Sequence, residues 1–224
     1  PNVILRNILQ NPGWYTQYTP YQAEISQGRL EALLNFQTMV TDLTGMELSN
    51  ASLLDEGTSA AEAMTMLFSN RDREKVNNNC NKFFVADDVF DQTLDVLMTR
   101  AEPLGIEIVK NSIDKINVDK SFFGSYVQYT GKNGQINDLK TISKTISNYD
   151  IKLIVAADLL SLTILEKPSL FNCDVVVGTS QRFGIPLGYG GPHAGYFATK
   201  KQYKRSIPGR IIGVSKDTDG NRAL

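Results

Sequence analysis

Residues 178–195 read GTSQRFGIPLGYGGPHAG and follow the apolar run VVV at 175–177. An apolar run that halts at a glycine and then turns polar at 179–182 reads as a strand passing into a loop. The glycine-rich tail could cradle a nucleotide, but GYGGP at 188–192 matches the G-x-G-x-x-G spacing poorly. Pro192 also argues against a helix opening at that point, because its ring removes a backbone donor and clashes with the preceding turn. The segment is therefore read as the end of a buried strand and the start of a long, shaped loop.

Working outward, strands alternate with helices. Residues 151–157 (IKLIVAA) are a continuous apolar run, as expected of a parallel strand covered on both faces. KFFVA at 82–86 reads as another strand, with shorter ones at 106–109, 125–129 and 195–198. Between them, 91–101 reads as a helix with Leu94, Leu97 and Met98 inward, and Asn137 as the cap of a helix whose Leu139, Ile142 and Ile146 share a face. Upstream, 26–44 carries Leu30, Leu33, Leu34, Val40 and Leu43 at helical spacing and stops at Gly45. Ala60, Ala61, Ala63, Met64, Leu67 and Phe68 mark a further helix. Residues 1–25, rich in aromatics and turn formers, read as an ordered irregular arm. The pattern predicts an α/β fold with a mainly parallel sheet flanked by helices.

The bulk properties narrow the function classes. The chain has 224 residues, 42% hydrophobic and 21% charged, which suits one sizeable core. A net charge of −1 offers no basic footprint, so no nucleic-acid partner is expected. No apolar run is long enough to cross a bilayer, so no membrane partner is expected either. Cys80 and Cys173 are isolated from each other and from any ligand spacing, which suits reduced thiols, and the lone His193 cannot build a metal site. No metal is expected.

Three places can carry chemistry. Gly57, Thr58 and Ser59 stand at a predicted helix start, where backbone N–H groups favour an anion. A plain Ser/Thr-capped helix entering the core explains them equally well. Asp158 ends the apolar strand at 151–157, in the crevice where open α/β sheets bind ligands. Capping of the segment that follows explains it as well. The third place is 178–195 itself, where Arg182 suits an anion or a salt bridge and His193 a structural hydrogen bond.

Long stretches resemble the P-protein family of the glycine cleavage system, the pyridoxal-phosphate-dependent glycine decarboxylases. They include NPGWYTQYTPYQAEISQGRLEALLNFQTM, TGMELSNASLLDEGTSAAEAM, VAADLLSLTILEKP, GTSQRFGIPLGYGGPHAGYFATK and PGRIIGVSKDTDGNRAL. The resemblance is to the amino-terminal one of the family's two homologous halves. It implies an aminotransferase-like large domain of pyridoxal-phosphate fold type I. It places Asp158 at the ring-nitrogen aspartate, Gly57, Thr58 and Ser59 at the phosphate-binding turn, and Gln181 where the catalytic half carries its cofactor lysine. An amide nitrogen is neither basic nor nucleophilic, so no catalytic residue is expected here.

The resemblance also implies that the complete enzyme condenses glycine with pyridoxal phosphate, releases carbon dioxide, and hands the aminomethyl group to the lipoyl arm of H-protein. This segment would bind no cofactor and serve a structural role beside the catalytic carboxy-terminal half or subunit. Trp14, Tyr15, Tyr18, Tyr21 and Gln22 are candidates to line the route of the lipoyl arm, or else simply anchor an arm to the core. The alternatives are an active enzyme with a displaced lysine, Lys200 or Lys201, and a pure interaction module. Residues 1–45 are expected to form an arm and helix, and 46–224 an incomplete large domain. Too few residues follow Gln181 for the small domain that should come next. The chain reads as a piece of a longer polypeptide, cytoplasmic in a bacterium or in the mitochondrial matrix of a eukaryote.

Overall fold

The computed structural model describes residues 2–16 and 19–224, and these fall into two compact units. The larger unit, Leu34–Ile212, holds a seven-stranded sheet. Its strands are β1 (Leu48–Ser49), β2 (Lys82–Ala86), β3 (Glu107–Asn111), β4 (Phe122–Tyr129), β5 (Lys152–Ala157), β6 (Val175–Thr179) and β7 (Gly195–Thr199), in the order β1-β7-β6-β5-β4-β2-β3. The pairs β2/β3, β2/β4, β4/β5 and β5/β6 are parallel; β7 runs antiparallel to both β6 and β1.

The expected mainly parallel sheet is present, and its composition explains it. All eight residues of β4, and Leu153 to Ala157 of β5, are buried, so these strands need apolar side chains on both faces. The helices are α1 (Asn2–Leu9), α2 (Gln27–Thr44), α3 (Glu56–Ser69), α4 (Arg73–Asn77), α5 (Asp91–Ala101) and α6 (Leu139–Ser147). Helix α3 lies across β4, β5, β6 and β7. Ala60, Ala61 and Ala63 are fully buried there, and their small side chains let the helix approach the sheet closely.

Three readings of local sequence need correcting. Met98 faces solvent at 54% exposure, whereas Leu97 is buried and Leu94 packs against the core as expected; the fully buried row of α5 is Thr93, Leu97 and Ala101, at spacing four. The cap of α6 is Asp138, whose Oδ1 accepts from the N–H groups of Lys140 and Thr141 at 3.1 Å each. Asn137 is buried one residue earlier, donating to Asp88 Oδ2 and to the Gln128 carbonyl; Leu139, Ile142 and Ile146 are buried as expected. The arm at 1–25 is not wholly irregular, because NVILRNIL forms α1. None of the side chains of α1 is buried, so the turn formers that follow it hid a helix with no core contact to announce it.

The smaller unit, residues up to Leu33 together with Gly213–Leu224, contains α1, the first turns of α2 and the two-stranded ribbon β8 (Ser215–Lys216) and β9 (Arg222–Ala223). Within it, Gln27 grips the end of the chain twice, donating to the Leu224 carbonyl at 3.2 Å and accepting its N–H at 3.0 Å. Among the described residues, no helix is long and apolar enough to cross a membrane.

Candidate functional site: the carboxyl edge of the sheet

After β3 the chain returns to the far side of β2 and then steps outward through β4, β5 and β6. The carboxyl ends of these strands share one edge, at the point where the strand order reverses. Because β7 is antiparallel, Thr179 pairs with Gly195, so the start of β7 meets the end of β6 at this same edge. Leu53 bridges Gly195, which brings the entry to α3 there too. Gly195 is required at this junction, since a Cβ would collide with the Asp55 backbone carbonyl.

The first turn of α3 is organised from inside the protein. Asp55 is the cap, its Oδ1 accepting the Thr58 N–H at 2.7 Å, while the Ser59 hydroxyl donates to the Asp55 carbonyl at 2.7 Å. Ser59 is fully buried, and the space left by the missing side chain of Gly57 faces Val96 of α5 at 3.3 Å. Glu56 is partly buried and accepts from Gln128 Nε2 of β4 at 3.1 Å. Burial holds the Glu56 carboxyl above its ordinary range, helped by Asp158 and Asp55 and opposed by the Gln128 bond and His193.

Asp158 follows β5 with both oxygens engaged. Oδ1 accepts the Leu160 N–H at 3.1 Å, and Oδ2 pairs with Arg182 Nη1 at 3.0 Å. Gln181 opens the short 3-10 turn Gln181–Phe183; its N–H donates to Thr179 Oγ1 at 3.1 Å, and its amide lies against Gly191 of the returning loop. His193 Nδ1 sits 2.7 Å from the Gly191 carbonyl and ties that loop down. Beneath them the buried Tyr196 hydroxyl donates to the Ala157 carbonyl at 2.6 Å.

The structure thus gathers the start of α3, Asp158 and Gln181 at one edge. Lys200 lies at the other end of β7, paired with Asp174 Oδ1 at 2.8 Å and bonded to Asn172. The Lys201 N–H bonds to Glu47 at that same far end. Trp14, Tyr15, Tyr21 and Gln22 belong to the smaller unit and are exposed, whereas Tyr18 lies outside the described residues. Glu56 and Gln128 were not singled out from sequence. The signal available was the spacing of Tyr126 and Gln128, two apart on one strand and so on one face.

A family profile described as "Glycine cleavage system P-protein" matches the chain over residues 1–224. The chain belongs to the glycine cleavage system P-protein family. This P-protein sequence is 59% identical over 224 residues to a "Glycine dehydrogenase (decarboxylating)" of Flavobacterium johnsoniae; the alignment takes in 100% of this chain and 24% of that relative. Among solved structures it resembles an inhibitor-bound glycine decarboxylase (P-protein) of the glycine cleavage system, with a TM-score of 0.90 and 31% identity, over 100% of this chain and 50% of the other. A cystathionine gamma-lyase from Lactobacillus plantarum, at TM-score 0.58 and 13% identity over 88% of this chain and 50% of the other, shares the fold alone. The P-protein segment accordingly has the aminotransferase-like fold of pyridoxal-phosphate fold type I.

The residues at this edge fit pyridoxal phosphate poorly. An aldehyde requires an amine, and Gln181, where the resemblance would put the cofactor lysine, offers an amide. A ring nitrogen requires a free carboxylate, and Asp158 is already paired with Arg182. A phosphate requires open N–H groups, yet Thr58 donates to Asp55, and Glu56 places a second carboxyl at the same helix start.

Proposed function

We propose that this chain is a structural, non-catalytic segment of a glycine dehydrogenase (decarboxylating). The complete enzyme decarboxylates glycine and transfers the aminomethyl group to the lipoyl arm of H-protein, using pyridoxal phosphate held elsewhere in the protein. The observation that carries this reading is the Arg182–Asp158 ion pair beside Gln181: the carboxylate that the family resemblance would give to a cofactor ring is paired with the chain's own guanidinium. The segment packs against the catalytic carboxy-terminal half or subunit. Exposed apolar side chains in the loops after β5 and β6 support such packing, with Ile164 at 87% exposure and Leu187 at 75%. Trp14, Tyr15, Tyr18, Tyr21 and Gln22 are assigned to the path of the lipoyl arm, in an enzyme that is cytoplasmic in a bacterium or in the mitochondrial matrix of a eukaryote.

The test is chemical trapping. The chain is incubated with pyridoxal phosphate, reduced with borohydride, digested and mapped by mass spectrometry. Scattered low labelling of surface lysines is the expected result. A stoichiometric adduct at one lysine, Lys200 or Lys201 included, would overturn the assignment.

A further inference from the structure

Between β6 and β7 the chain leaves the carboxyl edge as a tied loop. The Ile185 N–H donates to the Gln181 carbonyl at 3.0 Å, the Gly191 N–H closes the loop on the Leu187 carbonyl, and His193 holds the returning limb through Gly191. At the tip, Gly188, Tyr189, Gly190 and Gly191 all have positive φ. Glycine enters that region freely, whereas Tyr189, at φ +44°, enters it at a cost. Its ring gains nothing from this chain, because it stands wholly in solvent at 114% exposure. A glycine or an asparagine would make the same turn with less strain and leave no apolar ring in water. Both costs fall on one residue, and burial of the ring against something outside the chain offsets them.

The surroundings point the same way. Phe183, Ile185 and Leu187 in the same loop and Leu54 at the entry to α3 are exposed, so Tyr189 stands above an apolar edge of the kind that marks an interface. The chain spans 24% of the length of its Flavobacterium johnsoniae relative, so most of a polypeptide of that length lies outside it. On the reading proposed above, that outside part includes a catalytic half homologous to this one. Homologous halves paired about an approximate two-fold axis meet through like faces. The apolar face here is the carboxyl edge, so its counterpart is the carboxyl edge of the catalytic half, the crevice where an open α/β sheet holds its ligand. A side chain that projects from this loop enters that crevice.

We propose, resting on the reading of this chain as the non-catalytic half, that Tyr189 anchors it in the catalytic half and that its ring forms one wall of the ligand crevice there. The ring makes and breaks no bond. It fills space and excludes water, as a buried aromatic at the centre of an interface does.

The experiment places the photoreactive analogue p-benzoylphenylalanine at position 189 of the complete enzyme, irradiates it and maps the products by mass spectrometry. Cross-links to the segment of the catalytic half that carries the cofactor lysine are expected. Cross-links confined to this chain, cross-links to another region of the catalytic half, or none at all would overturn the proposal. Kinetics give a second reading. Tyr189→Ala is expected to lower kcat/KM for glycine by about tenfold or more, and Tyr189→Phe, which keeps the ring, to recover most of that loss. An alanine variant as active as its parent counts against the anchor. So does a lower urea midpoint for the isolated Tyr189→Ala chain, which would mean that the ring packs within this chain after all. The two readings fail separately. Misplaced cross-links with no trapped lysine in this chain overturn the anchor alone, whereas a stoichiometric cofactor adduct on this chain overturns the non-catalytic reading and the anchor with it.

Discussion

Replacing Gln181 by lysine restores an amine without restoring a site. The new ammonium would stand one residue from Arg182, whose guanidinium already neutralises Asp158. Gln181→Lys is therefore expected to give no stoichiometric borohydride-trapped cofactor, whereas Gln181→Lys with Arg182→Ala, which frees the carboxylate, labels more strongly at position 181. The Arg182 change itself costs less than about 1 kcal/mol, because its side chain is 62% exposed and exposed ion pairs contribute little. Urea titration of the single variants separates that small loss from any effect on trapping. The turn at Gln181 directly after β6 is legible in the sequence, because an apolar run there gives way to a polar patch and a glycine-rich loop. The Asp158–Arg182 contact is not, since only the parallel pairing of β5 with β6 brings the loops after these strands together. The Glu56–Gln128 contact spans 72 positions, and the spacing of Tyr126 and Gln128 gives their shared face but not the partner they meet.

At the scale of elements, α3 governs the edge, and its start depends on one carboxylate. Asp55→Ala removes the acceptor of the Thr58 N–H and is expected to cost about 0.5–2 kcal/mol. Asp55→Asn, which keeps an acceptor, restores most of that loss in the same denaturation curves. Helix α5 provides a sharper contrast between neighbours. Leu97 is fully buried, so Leu97→Ala should cost about 2–5 kcal/mol through lost burial and the cavity left behind. Met98→Ala, next to it but 54% exposed, should fall within about 0.5 kcal/mol of the parent. Equal losses at the two positions would contradict the observed face. The bounds of β2 and α5 match the sequence reading residue for residue: KFFVA is a short stretch with two aromatics and a valine, closed off by Asn81 and Asp87, and 91–101 is amphipathic at helical spacing. The orientation of α5 is harder to read, since Leu94, Leu97 and Met98 all lie within about 100° on a helical wheel and tertiary packing chooses among them. Helix α1 escaped notice because none of its side chains is buried, and core contact is what makes a helical pattern necessary.

At the scale of the larger unit, its two thiols report on whether the fold opens as one body. Cys80 and Cys173 are free, buried at 5% and 1% exposure, and both lie within Leu34–Ile212. Cys173 packs its sulfur 3.6 Å from that of Met46. Burial, with the neighbouring Asp174 charge adding to it, pushes the Cys173 thiol up to about 12. The thiolate is the reactive form, so at pH 8 only about one native Cys173 in ten thousand is poised to react even where a reagent could reach it. Raising the pH from 7 to 9 increases the thiolate fraction in the folded and the opened chain alike, but access still requires the sheet to part. Labelling of Cys173 by an alkylating reagent in native buffer is therefore expected to be slow and to accelerate through the urea transition. Its dependence on urea should match that of the circular dichroism signal for the whole unit, because β6, which begins two residues after Cys173, is hydrogen-bonded between β5 and β7. Cys80, at the far side of the sheet before β2, should follow the same curve if the seven strands unfold together. Rapid labelling of Cys80 at urea concentrations where Cys173 stays protected would show instead that the β2–β3 edge opens on its own.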